Sequence, residues 1–305
     1  MKPGLFIVGA PKCGTSAWVQ YLGEHPKIAF SSTKEPHHFS TDFPDRGVFD
    51  RQDYLSLFAE TGPAEIVGEA SVRYLYSQVA ARNIREFNPE AKIIILLRDQ
   101  AEQLPSLHNQ YVFNGMENIT DFAEAWRLSG KRDRTNMPSR STVPQLLNYR
   151  EQGRFSPQVE RYFAEFPAKQ IRVFHFRDWT SDPRATYLEI LRFLRLEDDG
   201  RTEFEPINEA HRHKIVTLGR FTQSPPRWAL KLSGVLKRIT GRDRPPLVDR
   251  IRSLNWDRGY RIIGPSPAVV DEIRAFYAGD NARVESCITR ARSRTTSAPP
   301  SQPAD

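Results

Sequence analysis

An α/β fold, with a central and mainly parallel sheet flanked by helices, is what this chain of 305 residues predicts. Short apolar runs rich in β-branched residues recur at 5–8, 92–97 and 171–176, too short and too continuous for helices. Stretches of helical period lie between them, and that alternation builds parallel βαβ units rather than an antiparallel sandwich. The first run opens directly into Gly9-Ala10-Pro11-Lys12-Cys13-Gly14-Thr15-Ser16 and then a helical pattern.

Taken in order, Leu5, Phe6, Ile7 and Val8 read as a buried strand. From Thr15 the pattern turns helical, with Trp18, Val19, Tyr21 and Leu22 on one side, until His25-Pro26 stops it. Residues 27–30 read as a short strand, 54–58 as a short helix and 64–68 as a second strand leading into Glu69. A helix over 77–87 ends at Asn88-Pro89. Residues 92–97 form the strongest strand, with Arg98-Asp99 at its carboxyl end, where open α/β sheets bind ligands. Helices follow at 101–113, 121–128, 157–166 and 183–194, with Pro105 expected in a first turn and a strand at 171–176. The basic stretch 130–140 reads as a mobile surface loop, and 200–226 as irregular. Two helical stretches come next, then a closing helix over 268–292. One large domain over 1–292 and a disordered Ser/Pro/Ala-rich tail at 293–305 are expected.

A hydrophobic fraction of 39% supports a core of that size, though on the low side. A net charge of +7 favours anions, without choosing between nucleotides, acidic glycans, nucleic acid and anionic lipid. Cys13 and Cys287 are too few and too far apart for a disulfide framework or a zinc site. His211-x-His213 by itself matches no zinc-ligand spacing, so no metal is expected. No run of 18 apolar residues and no signal-peptide pattern occurs, which predicts no membrane span and a cytoplasmic address.

The loop carries the chemistry. Strand, glycine-bearing turn and helix start make an anion cradle from free amides and the positive end of the helix dipole. Gly9 to Gly14 fits the spacing of a nucleoside-triphosphatase P-loop, but Thr15 stands where that motif has its Lys, and Lys12 lies inside the loop. Lys12 with the Thr15 and Ser16 hydroxyls suits a 5′-phosphosulfate better than a triphosphate.

That loop, followed by Lys34-Glu35-Pro36-His37-His38-Phe39, resembles the sulfotransferases that use 3′-phosphoadenosine 5′-phosphosulfate (PAPS), closest to the carbohydrate-type branch and its bacterial relatives. The resemblance runs over about residues 4–195 and implies a P-loop NTPase-like three-layer fold. It implies that Pro11, Lys12, Cys13, Gly14, Thr15 and Ser16 hold the 5′-phosphosulfate. Arg98 with Ser106, a guanidinium fork and a hydroxyl, would hold the 3′-phosphate. Glu35 would deprotonate the acceptor, Lys34 would steady sulfuryl oxygens, and His37 or His38 would orient the acceptor or serve as base instead. Glu69-Ala70-Ser71 and Tyr74 correspond to a segment lining the acceptor side. Gln100 and Gln103 depart from the Pro and Arg usual there, Ala70 from a Lys and Val72 from a Pro, which puts some nucleotide and acceptor contacts in doubt. Residues 208–214 with Gly219-Arg220 match a nucleotide-closing basic loop only poorly.

The expected reaction is sulfuryl transfer from PAPS, without metal, to a hydroxyl or amine of a carbohydrate, glycolipid or small metabolite. No nucleic-acid partner is expected; the acceptor and the oligomeric state are not legible. Two rivals stand beside it: a P-loop kinase or NTPase, and a non-enzymatic polyanion-binding protein. Without the resemblance, Arg98-Asp99 and Lys34-Glu35 are also what solvated surface ion pairs look like.

Overall fold

The computed structural model describes residues 2–45, 47–132, 143–205 and 264–296, with the backbone alone at 212–213 and 256–257. Most of the expected mobile loop, the helical stretches after 226 and all but two residues of the closing-loop match lie outside the described residues. The chain divides into two compact units. The first comprises Met1–Gln103, Arg150–Ile207 and Pro267–Asp305; the second comprises Leu104–Tyr149 and Asn208–Ser266.

The first unit is built on five parallel strands: β1 (Leu5–Ile7), β2 (Ile28–Phe30), β3 (Ile66–Ala70), β4 (Lys92–Leu97) and β5 (Ile171–His175). Their order across the sheet is β2-β3-β1-β4-β5. Chain order thus reverses at β1, whose register sets Phe6 beside Glu69 on one side and beside Ile93 on the other. Ligand crevices of open α/β sheets form at such a switch point, outside the carboxyl ends of the strands. β1 and all but the first residue of β4 are buried, which is why both read as unbroken apolar runs.

Helices flank the sheet in the P-loop NTPase-like manner; in chain order the helices are α1 (Thr15–Gly23), α2 (Arg51–Ser56), α3 (Ala80–Phe87), α4 (Gln100–Phe113), which runs from the first unit into the second, α5 (Phe122–Arg127), which belongs to the second unit, α6 (Tyr149–Gln152), α7 (Phe155–Glu165), α8 (Phe176–Ser181), α9 (Pro183–Leu194) and α10 (Pro267–Thr296). Where boundaries differ from the sequence reading, a specific bond decides. α4 begins at Gln100 because the Asp99 carboxylate accepts the Ala101 N–H (2.8 Å), so Pro105 lies inside the helix rather than in its first turn. α7 starts two residues early because Asp280, from α10, accepts the N–H groups of Phe155 (2.8 Å) and Ser156 (3.2 Å). β3 lies two residues later than expected, and this carries Glu69 into the sheet. α10 runs to Thr296, so the first residues of the expected tail are helical.

In the second unit the described residues centre on Glu117. Its fully buried carboxylate accepts from Arg132 (3.0 Å), the Tyr149 hydroxyl (3.1 Å) and the amides of Asn118 and Ile119. β6 (Arg212–His213) pairs antiparallel with β7 (Trp256–Asp257).

Candidate sulfuryl-transfer site

The loop after β1 is fixed along its whole length. The Ala10 amide donates to Leu96 O (2.6 Å), Gln103 Nε2 donates to Pro11 O (3.0 Å), and Arg98 Nη1 reaches Lys12 O (3.4 Å). Lys12 and Gly14 both take left-handed backbone, with φ 64° and 91°. At Gly14 a side chain is excluded outright, since a Cβ there meets Trp179 Cζ2 at 2.2 Å. Gly14 caps α1 and has no side chain to bond the first-turn amides, so among the described residues the N-cap leaves the helix's positive end uncapped. Thr15 is buried, while Pro11, Lys12 and Ser16 are half-buried.

Lys12 is held below its ordinary lysine value by burial first, and then by the like charges of Lys34 and Arg98. Three cations gathered at a helix N-terminus are a donor set that an anion relieves and that a neutral ligand does not. Cys13 belongs to the core instead: it is fully buried, and burial pushes its thiol up to about 12. Only its main chain is left to serve the loop.

The second motif folds back onto the first. Lys34 Nζ hydrogen-bonds Ser16 Oγ, and it lies 3.4 Å from Glu35 Oε1. His37 Nε2 stands 3.5 Å from Glu35 Oε2, and buried His37 Nδ1 has no hydrogen-bond partner among the described residues. Burial raises the Glu35 carboxyl, but the His37 contact and the Lys34 charge outweigh it and leave the group below its usual value. Glu35 is therefore an ionised carboxylate at neutral pH. Glu35 and His37 both hold left-handed backbone, with φ 59° and 52° and no glycine to ease it. His38 is turned away, stacked on Tyr54 at 4.4 Å with its Nδ1 at Val48 O (3.1 Å).

Arg98 closes the other side. Its guanidinium lies 4.2 Å from the Phe176 ring centroid and bonds Glu102 through Nε (3.1 Å) and Nη2 (3.0 Å). It lines a cleft of about 570 Å³ at the carboxyl ends of β4 and β5, together with His175, Phe176, Arg177 and Arg274. Ser106 is half-buried on α4 and belongs to the second unit.

Two further pairs of residues are placed inside the protein. Glu69 and Tyr74, of the segment that the resemblance puts on the acceptor side, are both fully buried, and Tyr74 donates to Glu69 (3.0 Å). Gln100 and Gln103, two of the departures from the family pattern, bond within the protein. Both are buried, Gln103 holds the anion loop through Pro11, and Gln100 ties Gly153 (3.1 Å) to Asn281 (2.8 Å). Sequence reasoning missed Trp179, Phe176 and Tyr54 as neighbours of the candidate site, and named Ser71 only within its segment. No spacing signals the first two, which arrive on α8; Tyr54 was visible only as one apolar position of a short helix.

Comparison with known proteins follows the same lines. The profile of the sulfotransferase domain matches residues 2–215. The chain is 26% identical over 249 residues to carbohydrate sulfotransferase 15 of Mus musculus, covering 64% of this chain and 44% of that protein. It is 27% identical over 213 residues to bifunctional heparan sulfate N-deacetylase/N-sulfotransferase 1 of Xenopus tropicalis, covering 63% of this chain and 22% of that one. The chain thus spans less than half the length of these relatives. A crystal structure of a sulfotransferase from Alicyclobacillus acidocaldarius superposes with a TM-score of 0.68 at 27% identity, covering 95% of this chain and 96% of its own.

Proposed function

The chain belongs to the sulfotransferase domain family, and from that premise we propose that it moves a sulfuryl group from PAPS to a hydroxyl, or an amine, of a carbohydrate-like acceptor. One observation carries the reading. Lys12, Lys34 and Arg98 converge on an uncapped helix start, and the loop that brings Lys34 brings an ionised carboxylate with it. The carbohydrate and heparan sulfate relatives support a sugar acceptor and keep the amine in view.

Bound there, PAPS supplies the sulfuryl group and departs as the 3′,5′-bisphosphate. Glu35 accepts the proton that the acceptor loses as its oxygen bonds to sulfur. Lys12 and the first-turn amides of α1 hold the charge that gathers on the departing phosphate oxygen. Lys34, anchored on Ser16, steadies the sulfuryl oxygens, and His37 keeps the Glu35 carboxylate aimed. Arg98 gives the 3′-phosphate a guanidinium fork once it lets go of Glu102.

Calorimetric titration with 3′-phosphoadenosine 5′-phosphate (PAP), repeated with Mg-ATP, tests the donor. Tight PAP binding and weak ATP binding are expected. Preference for Mg-ATP would overturn the reading in favour of a kinase. Radiolabelled PAPS with desulfated heparin, a glycolipid and a phenol then tests the acceptor class, with transfer expected to the polysaccharide.

A further inference from the structure

We infer that Glu69 is a positioning residue for Glu35: its buried carboxyl orients three hydroxyl-bearing side chains that grip the loop from which Glu35 acts. This rests on the reading of Glu35 as the base.

The geometry is specific. Glu69 Oε1 accepts the Ser71 hydroxyl, and Oε2 accepts the hydroxyls of Tyr54 and Tyr74, both at 3.0 Å. Each of those side chains has a second engagement, and each falls on a successive residue of the loop. Ser71 Oγ accepts the His37 N–H at 3.1 Å. The Tyr54 ring stacks on His38. The Tyr74 oxygen accepts the Phe39 N–H at 3.3 Å. A hydroxyl has one hydrogen to give, so once Ser71 and Tyr74 have donated to the carboxyl, only lone pairs remain for the loop amides. Glu69 thereby sets the polarity of the whole grip.

The loop needs such a grip. Glu35 and His37 sit in left-handed backbone that non-glycine residues leave when unrestrained. The His37 amide bond fixes the ring whose Nε2 meets Glu35. Among the described residues Glu69 meanwhile has no cation against it: Tyr54, Ser71 and Tyr74 are its bonded neighbours, and the nearby charge is the like charge of Glu35. A fully buried carboxyl without a cationic partner is costly to keep for packing alone. Consistently, burial raises this group to about 7 despite its hydroxyl donors.

The experiment is a double-mutant cycle on the full chain, read in two ways. Glu69→Gln should lower kcat for PAP release from PAPS by about tenfold or more while KM for PAPS stays within about twofold. The acceptor is the one the panel identifies or, failing that, water. In a Glu35→Gln background the same change should add less than about twofold, because both act through one group. Amide hydrogen exchange on the free protein supplies the second reading: residues 36–39 should exchange about tenfold faster in Glu69→Gln, with β1 and β4 unchanged. Uniform or absent exchange changes, or full additivity in the cycle, would overturn the inference. Should Glu35→Gln alone leave kcat intact, the base assignment fails, while the exchange data still judge Glu69 separately. If Glu69→Gln does not fold, Tyr74→Phe removes one hydroxyl and keeps the ring; it should speed exchange at Phe39 alone, and an unchanged Phe39 would count against the inference.

Discussion

The two loops that meet at Lys34 and Ser16 reach similar backbone strain by opposite routes. The loop after β1 starts from what lies within it, a glycine at φ 91°, a helix start and main-chain bonds to β4, with Gln103 and Arg98 adding bonds from outside. The loop over 34–40 has no glycine, and it is shaped from outside, by Ser71, Tyr54 and Tyr74 around Glu69. A self-shaped loop keeps its form under changes elsewhere. A borrowed shape depends on groups that titrate.

The largest expected effect breaks the first loop at its charge. Lys12→Ala should cost about a thousandfold in kcat, because a preorganised cation at the departing oxygen is worth roughly 4 kcal/mol, and PAP release from PAPS measures it. The second targets the borrowed shape. Folded Glu69 holds its proton up to about pH 7 against an ordinary value of 4.5, so the folded state binds more protons between those limits. Stability should therefore fall by about 3 kcal/mol as pH rises from 4.5 to 7, level off above it, and lose that slope in Glu69→Gln. Denaturant midpoints across that range check it.

Third, Gly14→Ala should destabilise by about 2 kcal/mol, since the new methyl meets Trp179 in a backbone conformation alanine avoids. A thermal scan reads this, and Trp179→Leu in the same chain should recover part of the loss. The smallest effect is at the edge. Arg98→Ala should weaken PAP by about tenfold, roughly 1.4 kcal/mol, because the guanidinium first has to leave Glu102. Calorimetry with PAP and ATP side by side shows whether the loss is confined to the 3′-phosphate.

What was legible in the sequence follows the same division. β1, its loop, α1 and β4 could be read because periodicity and glycine spacing are local signals, and Arg98 followed from the end of β4. Glu35 and His37 could be read as a motif, but not their backbone, since nothing local announces left-handed residues without glycine. Glu69 and Tyr74 were named in one segment, but their full burial was not legible. Their burial depends on β3 sliding two residues to pair with β1, and on Tyr54 arriving from α2. The role of Gln103 was hidden because its partner is a main-chain oxygen 92 positions earlier.

The reach of α10 carries a consequence in time. Arg274 clasps Asp99 at 3.0 Å and Asn281 meets Gln100, bonds from just beyond β4 to a helix some 175 residues downstream, and Asp280 of the same helix starts α7. At about 5–20 residues per second, a ribosome delivers α10 roughly 10–35 seconds after Asp99. Until then Arg274, Asn281, Val284 and Glu285, which line the cleft beside Arg98, have yet to be made. Synthesis, and not only the finished fold, sets when this chain first presents the complete cleft.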